Sequence, residues 1–213
     1  MNNYPHPVLA REAWPLLTAA ILLALVVTLL APLYSAPCWL LALFVWQANR
    51  DPVRVVPLHP NAILSPADGR VVVVEKARDQ FANREALKIS VLMNFFNVHS
   101  NRAPVDGKID YVQYFAGKFV NPELDQGSSK NEHNAIVITT PSGQTVSCVQ
   151  VAGWIARRIL CVVKAGQVLV RGQRYGSIRF GSRVDIYLPL SAMPKVVVGD
   201  KVSATETILA EFA

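Results

Sequence analysis

Arg179-Phe180-Gly181-Ser182-Arg183-Val184-Asp185-Ile186-Tyr187-Leu188-Pro189 starts as a loop and finishes as a strand. From Ser182 onward the apolar residues alternate, with Val184, Ile186 and Leu188 on one face and Asp185 and Tyr187 on the other. That period of two predicts a half-buried strand. Gly181-Ser182 stands at its mouth. Glycine permits a strained backbone, and a serine hydroxyl beside a strained peptide can attack the carbonyl of the residue before it. Taken alone, Gly-Ser is an ordinary turn dipeptide, so the rest of the chain has to decide between the two readings.

The strand has many companions. Val71-Val72-Val73-Val74, Leu87 to Leu92, Lys108 to Tyr114, Ala135 to Thr139 and Thr145 to Val149 are β-branched or alternating runs, separated by turn clusters such as Pro141-Ser142-Gly143. Many short, closely spaced strands predict a mostly antiparallel sandwich or barrel. Ser65-Pro66-Ala67-Asp68-Gly69-Arg70-Val71 and Ala103-Pro104-Val105-Asp106-Gly107-Lys108-Ile109 share a turn that feeds a strand. Val163 to Val168 and Val198 to Val202 look like the hairpins of lipoyl-like folds. The expected fold class is therefore mostly β: a barrel-sandwich or lipoyl-like antiparallel domain behind an N-terminal hydrophobic helical hairpin. One further helix is expected around Trp154 to Leu160.

The hairpin follows from the apolar excess before residue 50. Leu16 to Leu33 is 18 residues without a charge, about 27 Å as a helix against a hydrocarbon core of about 30 Å. Pro32 and Pro37 break it, and the second run, Cys38 to Trp46, is short for a span. Two apolar helices joined by an uncharged turn predict a segment dipped into the bilayer from one side. Arg11 precedes the pair and Arg50 and Arg54 follow it, which puts both ends on the cytoplasmic face of the cell membrane. The rival is a secretory signal cut near Tyr34-Ser35-Ala36, which would make the rest extracytoplasmic. The expected organisation is a membrane-associating segment over 1–50 and a catalytic β-rich domain over 51–213.

A formal charge of +6, from 21 basic and 15 acidic side chains, fits an anionic partner. No basic run is interleaved with aromatics, which disfavours nucleic acid. Cys38, Cys148 and Cys161 lack CxxC spacing and read as apolar fillers in a reducing compartment. His6, His59, His99 and His133 lack HxH or HExxH spacing, so no metal site is expected.

The segment Arg179 to Pro189 resembles the cleavage-site segment of the phosphatidylserine decarboxylases, and other stretches resemble that family in the same order. Asn49-Arg50-Asp51-Pro52 is similar to its junction segment, Ser65-Pro66-Ala67-Asp68-Gly69 to its aspartate segment, and Phe95-Phe96-Asn97-Val98-His99-Ser100-Asn101-Arg102-Ala103-Pro104 to its histidine segment. Ala152-Gly153-Trp154-Ile155-Ala156-Arg157-Arg158-Ile159 resembles its double-arginine segment. The short length resembles the archaeal-type branch.

The resemblance implies a proenzyme that cuts itself between Gly181 and Ser182, leaving residues 1–181 and a 32-residue fragment, 182–213, held together as a heterodimer. Ser182 becomes a covalent pyruvoyl group, the only cofactor expected, which forms a Schiff base with the substrate amine and accepts the electrons left when carbon dioxide departs. His99 is implied as base and Asp68 as its orienter, the division of labour of a nucleophile, base and carboxylate set. Arg157, Arg158 and Arg179 are implied to meet the headgroup phosphate and carboxylate, with Arg102, Lys164 and Arg183 as further candidates. The expected partners are the phospholipid, the membrane and further copies of the chain as a homo-oligomer.

Two departures from the family pattern stand out. Phe96 occupies the place of a second histidine found in many bacterial members, so His99 or a water would supply the proton for decarboxylation. His133, in Asn131-Glu132-His133-Asn134, stands where arginine is usual, and its role is open. Two other readings remain at this point: a membrane-tethered zinc peptidase on a related β domain, and a non-enzymatic lipoyl-like adaptor.

Overall fold

The computed structural model describes residues 9–117, 131–153, 159–178 and 182–213. The chain divides into two compact units, 1–53 and 54–213.

The first unit is a helix pair, α1 (Trp14–Leu30) and α2 (Ser35–Ala48). Pro15 sits in the first turn of α1, where its missing N–H costs nothing, and Pro32 follows its end. Ala20, Ala24, Ala42 and Val45 are the buried residues, so the helices approach through small side chains. Trp39 Nε1 donates to Thr28 Oγ1 at 3.1 Å across the pair. Leu22, Leu29, Leu33, Leu40 and Phe44 stay exposed, which makes both helices apolar nearly all round. Among the described residues no helix is long and apolar enough to cross a membrane.

The second unit is antiparallel β throughout. Its strands are β1 (Ala62–Leu64), β2 (Gly69–Asp79), β3 (Arg84–Met93), β4 (Ser100–Arg102), β5 (Gly107–Phe115), β6 (His133–Thr139), β7 (Thr145–Val151), β8 (Ile159–Cys161), β9 (Val168–Leu169), β10 (Arg174–Ile178), β11 (Ser182–Leu188), β12 (Met193–Pro194), β13 (Lys201–Val202) and β14 (Ile208–Glu211). Eight form one sheet in the order β13-β2-β3-β11-β7-β6-β5-β9, and β1-β14-β12 and β4-β10-β8 form two small ones. The expected mostly antiparallel β architecture behind an N-terminal helix pair is therefore the one the chain adopts. The helix expected around Trp154 to Leu160 is not: Ile159 and Leu160 belong to β8, where Leu160 pairs with Ser177, and 154–158 lie outside the described residues.

The large sheet is strongly curled. Ser147 on β7 donates from Oγ to Asp79 Oδ2 on β2 at 2.7 Å, yet those strands are three places apart in the sheet, about 14 Å if it were flat. Phe81, in the β2–β3 turn, closes the concave side, with its ring 5.8 Å from Phe115, 6.0 Å from His133 and 6.3 Å from Tyr187. Curling corrects the reading of β11 as half-buried. Every residue from Ser182 to Leu188 is buried, because the concave face that a flat sheet would give to water is folded inward. Arg183 and Asp185 are enclosed there as an ion pair, Nε to Oδ1 at 2.8 Å.

The other face carries the main core. Val184, Ile186 and Leu188 pack with Ile89, Val91, Ile136, Ile138, Val146 and Cys148, and against Ile63 and Leu209 of one small sheet and Tyr175 and Ile178 of the other. All three cysteines are free. Burial pushes the Cys148 thiol and the Tyr175 phenol up, with the Asp79 charge adding to the first and Cys148 to the second.

Candidate active site

The core-facing rows of the large sheet change character at one end. Along β11 the row Leu188, Ile186, Val184 ends in Ser182. Along β3, Ile89 and Val91 end in Met93. Along β7, Val146 and Cys148 end in Gln150, and along β6, Ile138 and Ile136 end in Asn134. Register fixes these as neighbours: Ser182 lies opposite Met93, Val184 opposite Gln150, and Gln150 opposite Asn134. Apolar rows that finish in a hydroxyl, a thioether and two amides make one polar corner on a dry face.

Ser182 is fully buried, and its Oγ has no hydrogen-bond partner among the described residues. A buried hydroxyl left so costs about 1–3 kcal/mol, the kind of cost met where a group is kept for chemistry. Gly181, the other half of the expected scissile bond, lies outside the described residues, as do Arg157, Arg158 and Arg179.

His99 is buried just ahead of β4, and its carbonyl accepts the Ile178 N–H at 3.1 Å. Ladder pairs Ser100 with Ser177 and Asn101 with Gly176 hold this segment beside β10. Since Ile178 precedes Ser182 by four residues, their Cα atoms are at most about 14 Å apart. A second link is tighter. Asn101 Nδ2 lies 3.8 Å from Met93 Sδ, and Met93 is the cross-strand neighbour of Ser182. The histidine segment and the start of β11 thus both meet Met93 at the end of β3.

Asp68 closes the turn ahead of β2. Gly69 beside it rests on β3 so closely that a Cβ there would overlap the Leu92 carbonyl. Pro66 accepts the Arg102 N–H at 2.9 Å, tying the aspartate turn to the histidine segment. The Asp68 carboxylate has two strong partners: Arg54 Nη2 at 2.7 Å on Oδ2 and the Ala204 N–H at 2.7 Å on Oδ1. Arg54 also reaches Glu206, Nη1 to Oε2 at 2.8 Å. The structure therefore brings the turn of Asp68, the segment of His99 and the start of β11 to one end of the sheet.

Several residues take other parts. Arg102 is buried and donates from Nη1 to the Gly172 carbonyl at 3.1 Å. Arg183 is on the concave side with Asp185, facing away from the row of Ser182. Both are internal residues, while Lys164 is exposed. His133 is also on the concave side: its ring stacks on Phe115 at 4.5 Å and 16°, and its Nδ1 donates to the Asn131 carbonyl at 2.7 Å. Among the described residues no three His, Cys, Asp or Glu side chains gather as metal ligands, so the zinc reading has no donor set there.

Sequence reasoning missed Arg54 as a partner of Asp68, and it missed the amide chain Asn134–Gln150–Asn101. In that chain Asn134 Nδ2 donates to Gln150 Oε1 at 3.1 Å and Gln150 Nε2 to Asn101 Oδ1 at 2.8 Å. The amides did leave a signal, since Asn134 and Gln150 hold inward positions of otherwise apolar alternations. Arg54 left none, because 14 residues of chain separate it from Asp68.

Comparison with known proteins adds an independent line. A family model described as phosphatidylserine decarboxylase matches residues 40–210. The chain is 63% identical over 212 residues to a protein of Ralstonia pickettii (strain 12J) named phosphatidylserine decarboxylase proenzyme, covering 99% of each. Proteins of the same name from Cupriavidus pinatubonensis and Burkholderia cenocepacia (strain HI2424) are 62% and 60% identical, over 99% of this chain and 98% and 99% of theirs.

Proposed function

The chain belongs to the phosphatidylserine decarboxylase family, and on that premise we propose that it converts phosphatidylserine to phosphatidylethanolamine and carbon dioxide after cutting itself between Gly181 and Ser182. The observation that carries the reading is the buried Ser182 hydroxyl, without a hydrogen-bond partner among the described residues, at the polar corner where the segments of Asp68 and His99 also meet.

The Ser182 Oγ, relieved of its proton by His99, attacks the Gly181 carbonyl. The C–N bond breaks, the Ser182 amine is freed and an ester forms. His99 then takes the Ser182 α-proton, and the ester leaves as the new carboxylate of Gly181. The alkene that remains tautomerises and takes up water, releasing ammonia and leaving a ketone at residue 182. A serine that opens a strand and has no hydrogen-bond partner among the described residues fits this conversion, because none of them has to release it first.

The pyruvoyl group so made supplies a ketone conjugated to an amide, an electron sink for decarboxylating an amino acid headgroup. Asp68 is assigned to orient His99 during the reaction; in this structure its two carboxylate oxygens are engaged by Arg54 and the Ala204 N–H. Arg157, Arg158 and Arg179 meet the anionic headgroup. The helix pair of the first unit is the membrane-associating segment, placing the enzyme at the cytoplasmic face of the cell membrane, where it works as a homo-oligomer. The exposed leucines of both helices support that placement.

Intact mass decides the matter. Wild type is expected as two fragments, 1–181 and 182–213, and a carbonyl-trapping reductant with an amine adds mass to the second alone. Ser182→Ala is expected as one uncut 23.4 kDa chain without activity. Decarboxylation by wild type that remains intact through Gly181-Ser182 would overturn the proposal.

A further inference from the structure

The reaction sets a geometric condition on the catalytic unit. A phospholipid keeps its two acyl chains in the bilayer, since drawing them into water exposes every CH₂. Its headgroup must therefore be met at the membrane surface. The end of the sheet that begins at Ser182 has to lie against lipid during turnover, so the side chains around it should suit an interface.

They do, on a rigid frame. β3 runs out at Met93, opposite Ser182, into a turn pinned from both sides. Asn94 Oδ1 accepts the N–H groups of Phe96 and Asn97 at 2.9 and 3.1 Å, and Asn97 Oδ1 accepts the Asn94 N–H at 2.7 Å. A doubly tied Asx turn offers its middle residues to solvent with little entropy left to lose on binding. Those residues are Phe95 and Phe96, 36% and 74% exposed. Single exposed apolar residues are commonplace, but two adjacent aromatics with exposed surface on a stiff turn at the site end are not. At the same end of the sheet, on the face of Leu92 and Arg183 rather than that of Ser182, Arg70 lies opposite Leu92 and Lys201 opposite Arg70. Both cations are exposed, and neither has a carboxylate partner among the described residues. Apolar insertion flanked by unpaired cations is the pattern that binds an anionic bilayer.

We propose that the Ser182 end of the β unit is itself a membrane-docking face, with Phe95 and Phe96 entering the interface and Arg70 and Lys201 resting on anionic headgroups. This rests on the reading of the substrate as a bilayer lipid, and it assigns bilayer contact to the catalytic unit in addition to the helix pair.

The test compares one substrate in two physical states, using the full-length processed protein. Decarboxylation is measured on phosphatidylserine in anionic vesicles and on a short-chain phosphatidylserine dissolved as monomers. For Phe95→Ser/Phe96→Ser the ratio of the vesicle rate at sub-saturating lipid to the monomer rate is expected to fall about ten-fold or more below that of wild type. Arg70→Gln/Lys201→Gln is expected to lose several-fold on vesicles at low salt and to match wild type at high salt, where screening removes the attraction. Val168→Ser serves as the control. It is nearly as exposed as Phe96, but it sits opposite Lys108 at the far end of the sheet and should change neither activity.

An equal loss on vesicles and monomers, or none on vesicles, would overturn the docking face. Wild type that neither cleaves nor acts on the monomer would instead overturn the proposed function beneath it.

Discussion

Asp68 depends most directly on Arg54. Both side chains are largely enclosed, 12% and 14% exposed, and Arg54 covers one carboxylate oxygen while the Ala204 N–H covers the other. Removing the guanidinium leaves a nearly buried charge with a single donor, a loss of roughly 1–3 kcal/mol once partial exposure is allowed for. Arg54→Ala should therefore slow self-cleavage markedly, seen as uncut chain persisting in a time course of intact mass. Glu206→Gln touches only the more exposed end of the same group and should cut close to the wild-type rate. Equal rates for Arg54→Ala and wild type would remove Arg54 from any positioning role. Cys148 supports a different prediction. Desolvation raises its thiol, so the folded state keeps the proton while the unfolded thiol loses it above about pH 8.5. The native state then binds more protons than the unfolded one, and stability falls with pH by about 1.4 kcal/mol per unit for this group. Urea midpoints between pH 8 and 10.5 should drop, less steeply in Cys148→Val, with Tyr175 adding its own decline at higher pH.

The strands were legible as elements because alternation is a local property. Val71 to Val74, Leu87 to Leu92 and the other runs each fall inside an observed strand. Curl was not legible, since it arises from pairings far apart in the chain, such as Ser147 with Asp79, 68 residues away. For the same reason the side of the sheet on which His133 sits could not be read, although its identity stood out. Asp68, His99 and Ser182 became candidates through the family resemblance, each within a contiguous motif. The amide chain crosses three strands and had no motif. It carries a prediction of its own, because Gln150 is its middle link. Gln150→Leu strands the Asn134 and Asn101 amides in a dry corner, at a cost of about 1–3 kcal/mol. Measured in the uncut Ser182→Ala background, the urea midpoint should fall accordingly, and an unchanged midpoint would mean that water can enter to replace the lost bonds.

Across the whole molecule, the proposed cut ahead of β11 has a consequence for how the products behave. The fragment 182–213 would carry β11, β12, β13 and β14, of which β11 and β14 are interior to their sheets. β11 lies in the interior of the large sheet, laddered from Ser182 to Leu188 against β3 and from Arg183 to Tyr187 against β7. β13 borders β2, and β14 holds β1 and β12 together. Because the scissile bond precedes the first ladder residue, breaking it removes no pairing. Val184, Ile186, Leu188 and Leu209 would also stay in the core they share with residues of the larger fragment. Leaving would expose that row together with the Arg183–Asp185 pair, and would open the sheet between β3 and β7. The processed protein should therefore run as one species on size exclusion in native buffer and release the small fragment only in denaturant. Its urea midpoint should lie close to that of uncut Ser182→Ala. Separate elution of 182–213 under native conditions would mean that the ladders about β11 hold only while the backbone is continuous.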